Sequence, residues 1–336
     1  MSLGFTPEVQ LYGANAARLN ERLIDWEYTD AAGIESDQLK LTLDIEGLSG
    51  LPSLGARVGL RIGYWESGLV DKGEFIVTRR TPMLFPLRLT LLATAAPFKV
   101  NDETGFRVRR SVSHGPTTLG ALFRQLTSRH GFSPRVAPEL DAIRITHLDQ
   151  SNETDMGFLT RIARRFDAVT KPVNELYVLA RRGQVKSLSG KQLEDVRLSV
   201  TRDNRPGDPA FVAATLDDSS RGKYQGCQTT WWDAAAGRER VVETGVKPFK
   251  KLRQRYPSED EARAAGEGEV RRMEREALKL RIDCPGNPAL AAEGLILLDS
   301  SWPDFMQGRW SIDKVTASGN RANSYRCSIC ASCLDR

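Results

Sequence analysis

Leu39-Lys40-Leu41-Thr42-Leu43-Asp44-Ile45-Glu46-Gly47 decides the fold class. Apolar and polar residues alternate over the first eight positions, and the glycine ends the run. A period of two is that of a strand with one buried face. Val58, Leu60, Ile62 and Tyr64 repeat the pattern, Gly73 to Thr78 follow, and Leu87, Leu89 and Leu91 repeat it again. Val9–Leu11 and Leu23–Tyr28 add earlier strands, and Ser49-Gly50-Leu51-Pro52 supplies a turn between two of them. Short strands at this spacing predict a small antiparallel barrel.

The same stretch occurs twice. Leu278-Lys279-Leu280-Arg281-Ile282-Asp283-Cys284-Pro285-Gly286 lies on Leu39–Gly47 without gaps, and seven of the seventeen positions from Leu39 to Gly55 are identical. Further on, Gly73-Glu74-Phe75-Ile76-Val77 resembles Gly308-Arg309-Trp310-Ser311-Ile312, and Tyr325, Cys327 and Ile329 alternate as Leu87, Leu89 and Leu91 do. The physical reading is one supersecondary unit used twice. The predicted class is α+β, mainly β: two tandem tube-like antiparallel β-barrels with a mixed α/β domain.

Between the copies the period changes to that of helices. Leu119, Leu122, Phe123 and Leu126 share one helical face, with Thr117 or Thr118 as cap and Gly131 at the end. Phe158, Leu159, Ile162, Ala163 and Phe166 form a second stripe behind the capping residues Ser151 to Asp155. Leu176 to Leu179 reads as a strand. Strands return from about Leu188 through Val196–Val200, Phe211–Leu216 and Gln225–Trp232. Ser258-Glu259-Asp260-Glu261 has capping-box spacing and opens a helix to about Ala277. Gly266 and Gly268 are expected to weaken that helix by roughly 1 kcal/mol each relative to alanine. The expected division is 1–97 for the first barrel, 98–188 with 243–277 for the α/β domain, and 189–242 with 278–336 for the second barrel.

Composition narrows the functional classes. The net charge is +5 with 27% charged residues of both signs. The arginine pairs Arg79-Arg80, Arg109-Arg110, Arg164-Arg165, Arg181-Arg182 and Arg271-Arg272 are scattered, and the first reading is solvated faces or subunit contacts rather than one nucleic-acid stripe. No run of eighteen apolar residues appears, so no membrane helix and no membrane insertion are expected. Met1–Gln10 does not read as an export signal, and synthesis in a cytoplasm is the expectation.

Cys327, Cys330 and Cys333 have a spacing that raises a metal or iron–sulfur site, with Cys227 or Cys284 as fourth ligand. Strand alternation puts Cys327 and Cys330 on opposite faces, so the expectation is no metal and no cofactor. His114, His130 and His147 accompany no nucleophile motif. Glu153 and Asp155 suit a helix N-terminus better than a catalytic pair. Trp231-Trp232 and Trp310 read as core or as interface anchors.

Ile145-Thr146-His147-Leu148-Asp149-Gln150-Ser151-Asn152-Glu153-Thr154-Asp155, then Phe158-Leu159-Thr160-Arg161-Ile162-Ala163, resembles the Q-x-x-E-x-D-x-x-F-L-x-R signature of the phage late control D family. Its residues here are Gln150, Glu153, Asp155, Phe158, Leu159 and Arg161. Thr117-Thr118-Leu119-Gly120, His130-Gly131, Tyr256-Pro257-Ser258 through Ala262, and Gly286 to Gly294 with Gly308–Ile312 fit the same family. The likeness runs from about Thr6 to Ala331. Many relatives carry a histidine after the W-x-I strand, whereas Val315-Thr316-Ala317-Ser318 has none.

The resemblance implies a non-enzymatic baseplate hub of a contractile tail, R-type pyocin or related secretion spike. Such a hub is a homotrimer joining a trimeric central spike to a hexameric tail tube, with tape-measure and other baseplate subunits nearby. Infectious phage and headless bacteriocin both remain open as the parent particle. Matched alternation suggests channel-lining faces at Lys40, Thr42 and Asp44 in one copy and Lys279, Arg281 and Asp283 in the other. A DNA-binding late-gene regulator and a peptidoglycan-degrading tail component are the rivals. A helix-turn-helix would need helices near Thr118–Arg129 and Asp155–Phe166 to be adjacent, but roughly twenty-five residues separate them, far beyond the motif's short turn.

Overall fold

The computed structural model describes residues 5–32, 36–48, 50–95, 105, 108–173, 176–181, 195–218, 224–320 and 324–333. The expected boundaries at residues 97 and 188 lie outside the described residues.

The chain begins with β1 (Pro7–Tyr12), α1 (Ala16–Arg22), β2 (Leu23–Ala31), β3 (Gln38–Asp44), β4 (Arg57–Tyr64), β5 (Gly68–Met83) and β6 (Arg88–Thr94). There follow β7 (Arg110–His114), β8 (Thr117–Thr118), α2 (Leu119–Ser128), β9 (Ser133–Val136), α3 (Pro138–Asp141) and β10 (Arg144–Ile145). Next come β11 (Leu148–Glu153), α4 (Asp155–Arg165), β12 (Ala168–Val173), β13 (Leu176–Arg181), β14 (Val196–Leu198) and β15 (Ala213–Asp218). After them stand β16 (Gln225–Asp233), β17 (Arg238–Val246), β18 (Phe249–Tyr256) and α5 (Glu259–Ala277). The chain closes with β19 (Leu278–Pro285), β20 (Leu295–Leu298), β21 (Gly308–Asn320) and β22 (Ser324–Cys333).

The repeat is visible in strand order. The first half runs β1-β4-β5-β6-β3-β2 and the second β14-β20-β21-β22-β19-β15. One ladder differs: β1 meets β4 antiparallel, and β14 meets β20 parallel. The halves do not form separate closed barrels among the described residues. They join into one open sheet, because β2 pairs with the distal part of β21 over Asp25–Ala31 and Lys314–Asn320. Their buried faces merge into one core in which Leu39, Leu41 and Leu60 sit with Leu280, Ile296 and Ile329.

A bulge marks the same point in each half. The β5–β6 ladder slips between Val77 and Arg79, and the β21–β22 ladder slips between Ile312 and Lys314. Ala93 faces Val77, and Ala331 faces Ile312. On their other sides Ala93 faces Leu39 and Ala331 faces Leu280. Leu280 is therefore the structural counterpart of Leu39, not the Leu278 of the ungapped match. A shift of two residues keeps every side chain on its face, so alternation cannot detect it.

The other two bodies are smaller. α2 and α4 bury Leu122, Phe123, Phe158 and Ile162 beside Tyr177 and Leu179 of β13. Thr118 accepts from the Ala121 amide and Thr154 from the Gly157 amide, so each helix has a side-chain cap. The strand read over Gln225–Trp232 is present as β16, in a sheet of its own with β17 and β18. That sheet packs on α5 through Val242, Tyr256, Ala262 and Ala265.

The glycines of α5 have a use that propensity does not show. A Cβ on Gly266 would lie 2.6 Å from Thr244 Oγ1, and one on Gly268 would lie 3.1 Å from the Arg165 carbonyl oxygen. Gly266→Ala is thus expected to destabilise by about 1–3 kcal/mol through overpacking, despite the better helix former. A rise in the urea midpoint for this variant would show that the helix can move away from β17 without cost.

Candidate functional site: strand faces and the Asp155 cluster

Lys40, Thr42 and Asp44 alternate with Leu39, Leu41 and Leu43 on β3, so their side chains stand on the face away from the core. Lys40 and Asp44 are exposed and Thr42 is half-buried. On β19 Arg281 and Asp283 are exposed, while half-buried Lys279 reaches Asp313 Oδ2 at 2.9 Å. The ladders align Lys40 with Arg281 and Thr42 with Asp283, again two residues from the ungapped match. Where the halves join, a polar cleft is lined by Asp25, Glu27, Lys40, Ser318 and Arg326. The two triplets share the solvent face of one sheet but not one cluster.

The signature residues do converge. Asp155 is fully buried at the start of α4. Gln150 Nε2 donates to its Oδ1 at 2.9 Å and to the Glu153 carbonyl at 3.0 Å. Arg110 Nη1 at 3.2 Å, Arg129 Nη1 at 3.1 Å and His130 Nε2 at 2.8 Å surround Oδ2. Burial opposes ionisation, but Gln150, His130 and the two guanidiniums outweigh it and hold the carboxyl below its ordinary value. Asp155 thus ties β7, β11 and the end of α2 to α4. The amide at the helix start goes to Thr154 instead, contrary to a capping role for the carboxylate.

Glu153 takes Arg161 Nε at 2.9 Å, and Arg161 Nη2 also donates to the Asp149 carbonyl at 2.7 Å. Phe158 is buried and stacks on His114 at 5.0 Å, with the Arg161 guanidinium 5.2 Å from its ring. Leu159 belongs to the same core. Arg110, Arg129 and His130 complete this network from far away in the chain.

Two expectations about charge change. Arg110 and Arg165 are not solvated: their side chains are 22% and 12% exposed, and they face Asp155 and Glu261. Glu261, buried in α5, accepts from the Thr146 amide at 2.9 Å rather than reaching back in a capping box. A buried carboxylate finds a tertiary donor where an exposed one would use a local one.

Cys327 and Cys284 face each other across the β19–β22 ladder in the core. Burial raises both thiols, Cys284 to about 12. Cys330 and Cys333 are half-buried, and among the described residues no three potential ligands group around a metal position. Trp310 is buried with Nε1 donating to the Met306 carbonyl, whereas Trp232 is 47% exposed. Among the described residues no helix is long and apolar enough to cross a membrane.

No family model matches the chain. It is 34% identical over 214 residues to a probable baseplate hub protein of Escherichia phage P2, covering 63% of this chain and 52% of that one. A probable baseplate hub protein of Escherichia phage 186 matches at 32% over 216 residues, covering 64% and 52%. The chain spans about half the length of the curated relatives it matches. The fold is similar to a 43 kDa prophage tail protein from Shewanella oneidensis, at TM-score 0.61 and 14% identity over 97% of this chain and 98% of that one. It is also similar to an E. coli component of the type VI secretion system, described as resembling T4 bacteriophage tail proteins, at TM-score 0.57 and 12% identity over 98% and 77%.

Proposed function

We propose that this relative of phage baseplate hub proteins is itself a structural hub, a trimer whose six repeat units form a ring between a trimeric spike and a hexameric tail tube. The carrying observation is the identical strand order of the two halves within one sheet. Three chains with two equivalent units each supply six tube-like positions, and a closed ring of heterologous contacts would pair strand edges that the single chain leaves open. The sheet would complete its barrel only in the ring. β1 to β6, β14, β15 and β19 to β22 build it, and the α/β parts sit outside. Function then lies in surface matching, with no catalytic group, and the site of action is the tail baseplate.

The exposed faces of β3 and β19 would line the channel. Charge reversal at Lys40 and Lys279 is expected to reduce tail assembly or firing while the circular dichroism of the purified chain stays unchanged. Normal particle yield and firing in that variant would remove the channel assignment. The hub reading is tested by deleting the gene in the producing bacterium. Loss of complete tails, restored by the wild-type chain and with the chain present in purified tails, is the expected result. Normal tails without it overturn the reading.

A further inference from the structure

We propose that the outer edge of β5 over Arg79–Met83 receives β15 of a second copy of this chain, in the register in which β21 receives β2. This rests on the ring reading above and adds the joint that closes it. The template is inside the molecule. β2 and β15 are counterparts: Tyr28 faces Leu39 as Leu216 faces Leu280. β5 and β21 are counterparts through their shared bulge, and Pro82 faces Leu89 as Ala317 faces Cys327.

The two halves differ in what covers these elements. β21 pairs with β20 over Gly308–Ser311 and then accepts β2 over Lys314–Asn320. β5 pairs with β4 only as far as Ile76, and among the described residues no strand lies along Arg79–Met83 on that side. β15 pairs with β19 on one edge and, among the described residues, with no strand on the other. One half therefore shows a filled joint, and the molecule carries both parts of a second, unfilled one at opposite ends of the sheet.

Transposing the filled joint fixes the register. Tyr28 opposite Ala317 becomes Leu216 opposite Pro82, and Thr29 opposite Thr316 becomes Asp217 opposite Thr81. Asp30 opposite Val315 becomes Asp218 opposite Arg80. The acidic end of β15 thus meets the Arg79-Arg80 pair. Every residue of Thr78–Met83 is exposed in the single chain, and the hairpin beyond it leaves Leu84 84% and Phe85 94% exposed. In this register those side chains lie beside Ala213 and Ala214, small residues that admit them. At the filled joint the sizes are reversed, with Trp26 opposite Gly319. Pro82 cannot donate, so its rung has one hydrogen bond fewer than the filled joint.

The test uses a rung where side chains meet across the filled joint. Thr29 Oγ1 and Thr316 Oγ1 are 3.5 Å apart at the filled joint, so the double variant Thr81→Cys, Asp217→Cys is oxidised in the full-length chain. Disulfide-linked trimers on a non-reducing gel are expected, with no link in either single variant, which controls for the five native cysteines. Arg80→Asp should abolish the trimer seen by light scattering, and adding Asp218→Arg should restore it. A trimer that links instead at Thr81→Cys, Thr215→Cys overturns the register and leaves the hub reading standing. A chain that is monomeric by light scattering yet present in purified tails overturns this joint alone. Absence from tails overturns the hub reading itself.

Discussion

Asp155→Ala is expected to cost about 3–5 kcal/mol of folding stability, because it takes the fully buried carboxylate away from the Arg110 and Arg129 guanidiniums that pair with it. Arg110, Arg129 and His130 converge on its Oδ2, and Gln150 on its Oδ1. Asp155→Asn should cost less, since an acceptor remains. The folded carboxyl titrates below its ordinary value, so its contribution is complete above the unfolded value of about 3.9. It is lost as pH falls through the lower folded value. Urea midpoints of wild type and Asp155→Asn should therefore converge on acidification below about pH 4. A constant gap down to about pH 2 would show that the charge of Asp155 contributes nothing to folding.

Trp26→Ala is expected to cost a similar amount, about 3–5 kcal/mol, for a different reason. Trp26 is 3% exposed in the strand that joins the two halves. It faces Leu41 on one side and Gly319 on the other, and its ring lies 5.5 Å from that of Tyr325. Removing it opens a cavity at the seam between the copies. Because both halves share one core, the β body should still unfold in one transition, at lower urea. Two separated transitions in far-UV circular dichroism would mean that the halves are independent domains. Gly319→Val should act in the same direction, since a Cβ there would lie 2.8 Å from the indole nitrogen of Trp26.

These two residues also mark what the sequence does and does not disclose. Strict alternation at Leu39–Glu46, the stripe Phe158–Phe166 and the caps at Thr118 and Ser258 are local signals, and each appears as an element of the predicted kind. The duplication was legible as matching features in the same order along the chain, but the order of the strands within the sheet was not. Register was not, because a period-two pattern is unchanged by a slip of two, and only the bulges at Thr78 and Asp313 break the tie. The partners of Asp155 were hidden for another reason. Arg110 and His130 lie 45 and 25 residues away, and no spacing rule links them. Nor does anything local say that β16 leaves the long sheet; β15 has already taken the edge of β19.

The pairing of β2 with β21 has a kinetic consequence. Its two strands belong to one chain, so they meet at a local concentration fixed by the tether, independent of how much protein the cell has made. That seam closes when each molecule folds. A like seam between molecules obeys mass action and closes only as copies accumulate. In the proposed ring, duplication would split six joints into three formed as each chain folds and three that wait for other copies. On that reading the halfway object would be a folded single chain rather than a partly built ring, and chain concentration would set when the ring closes.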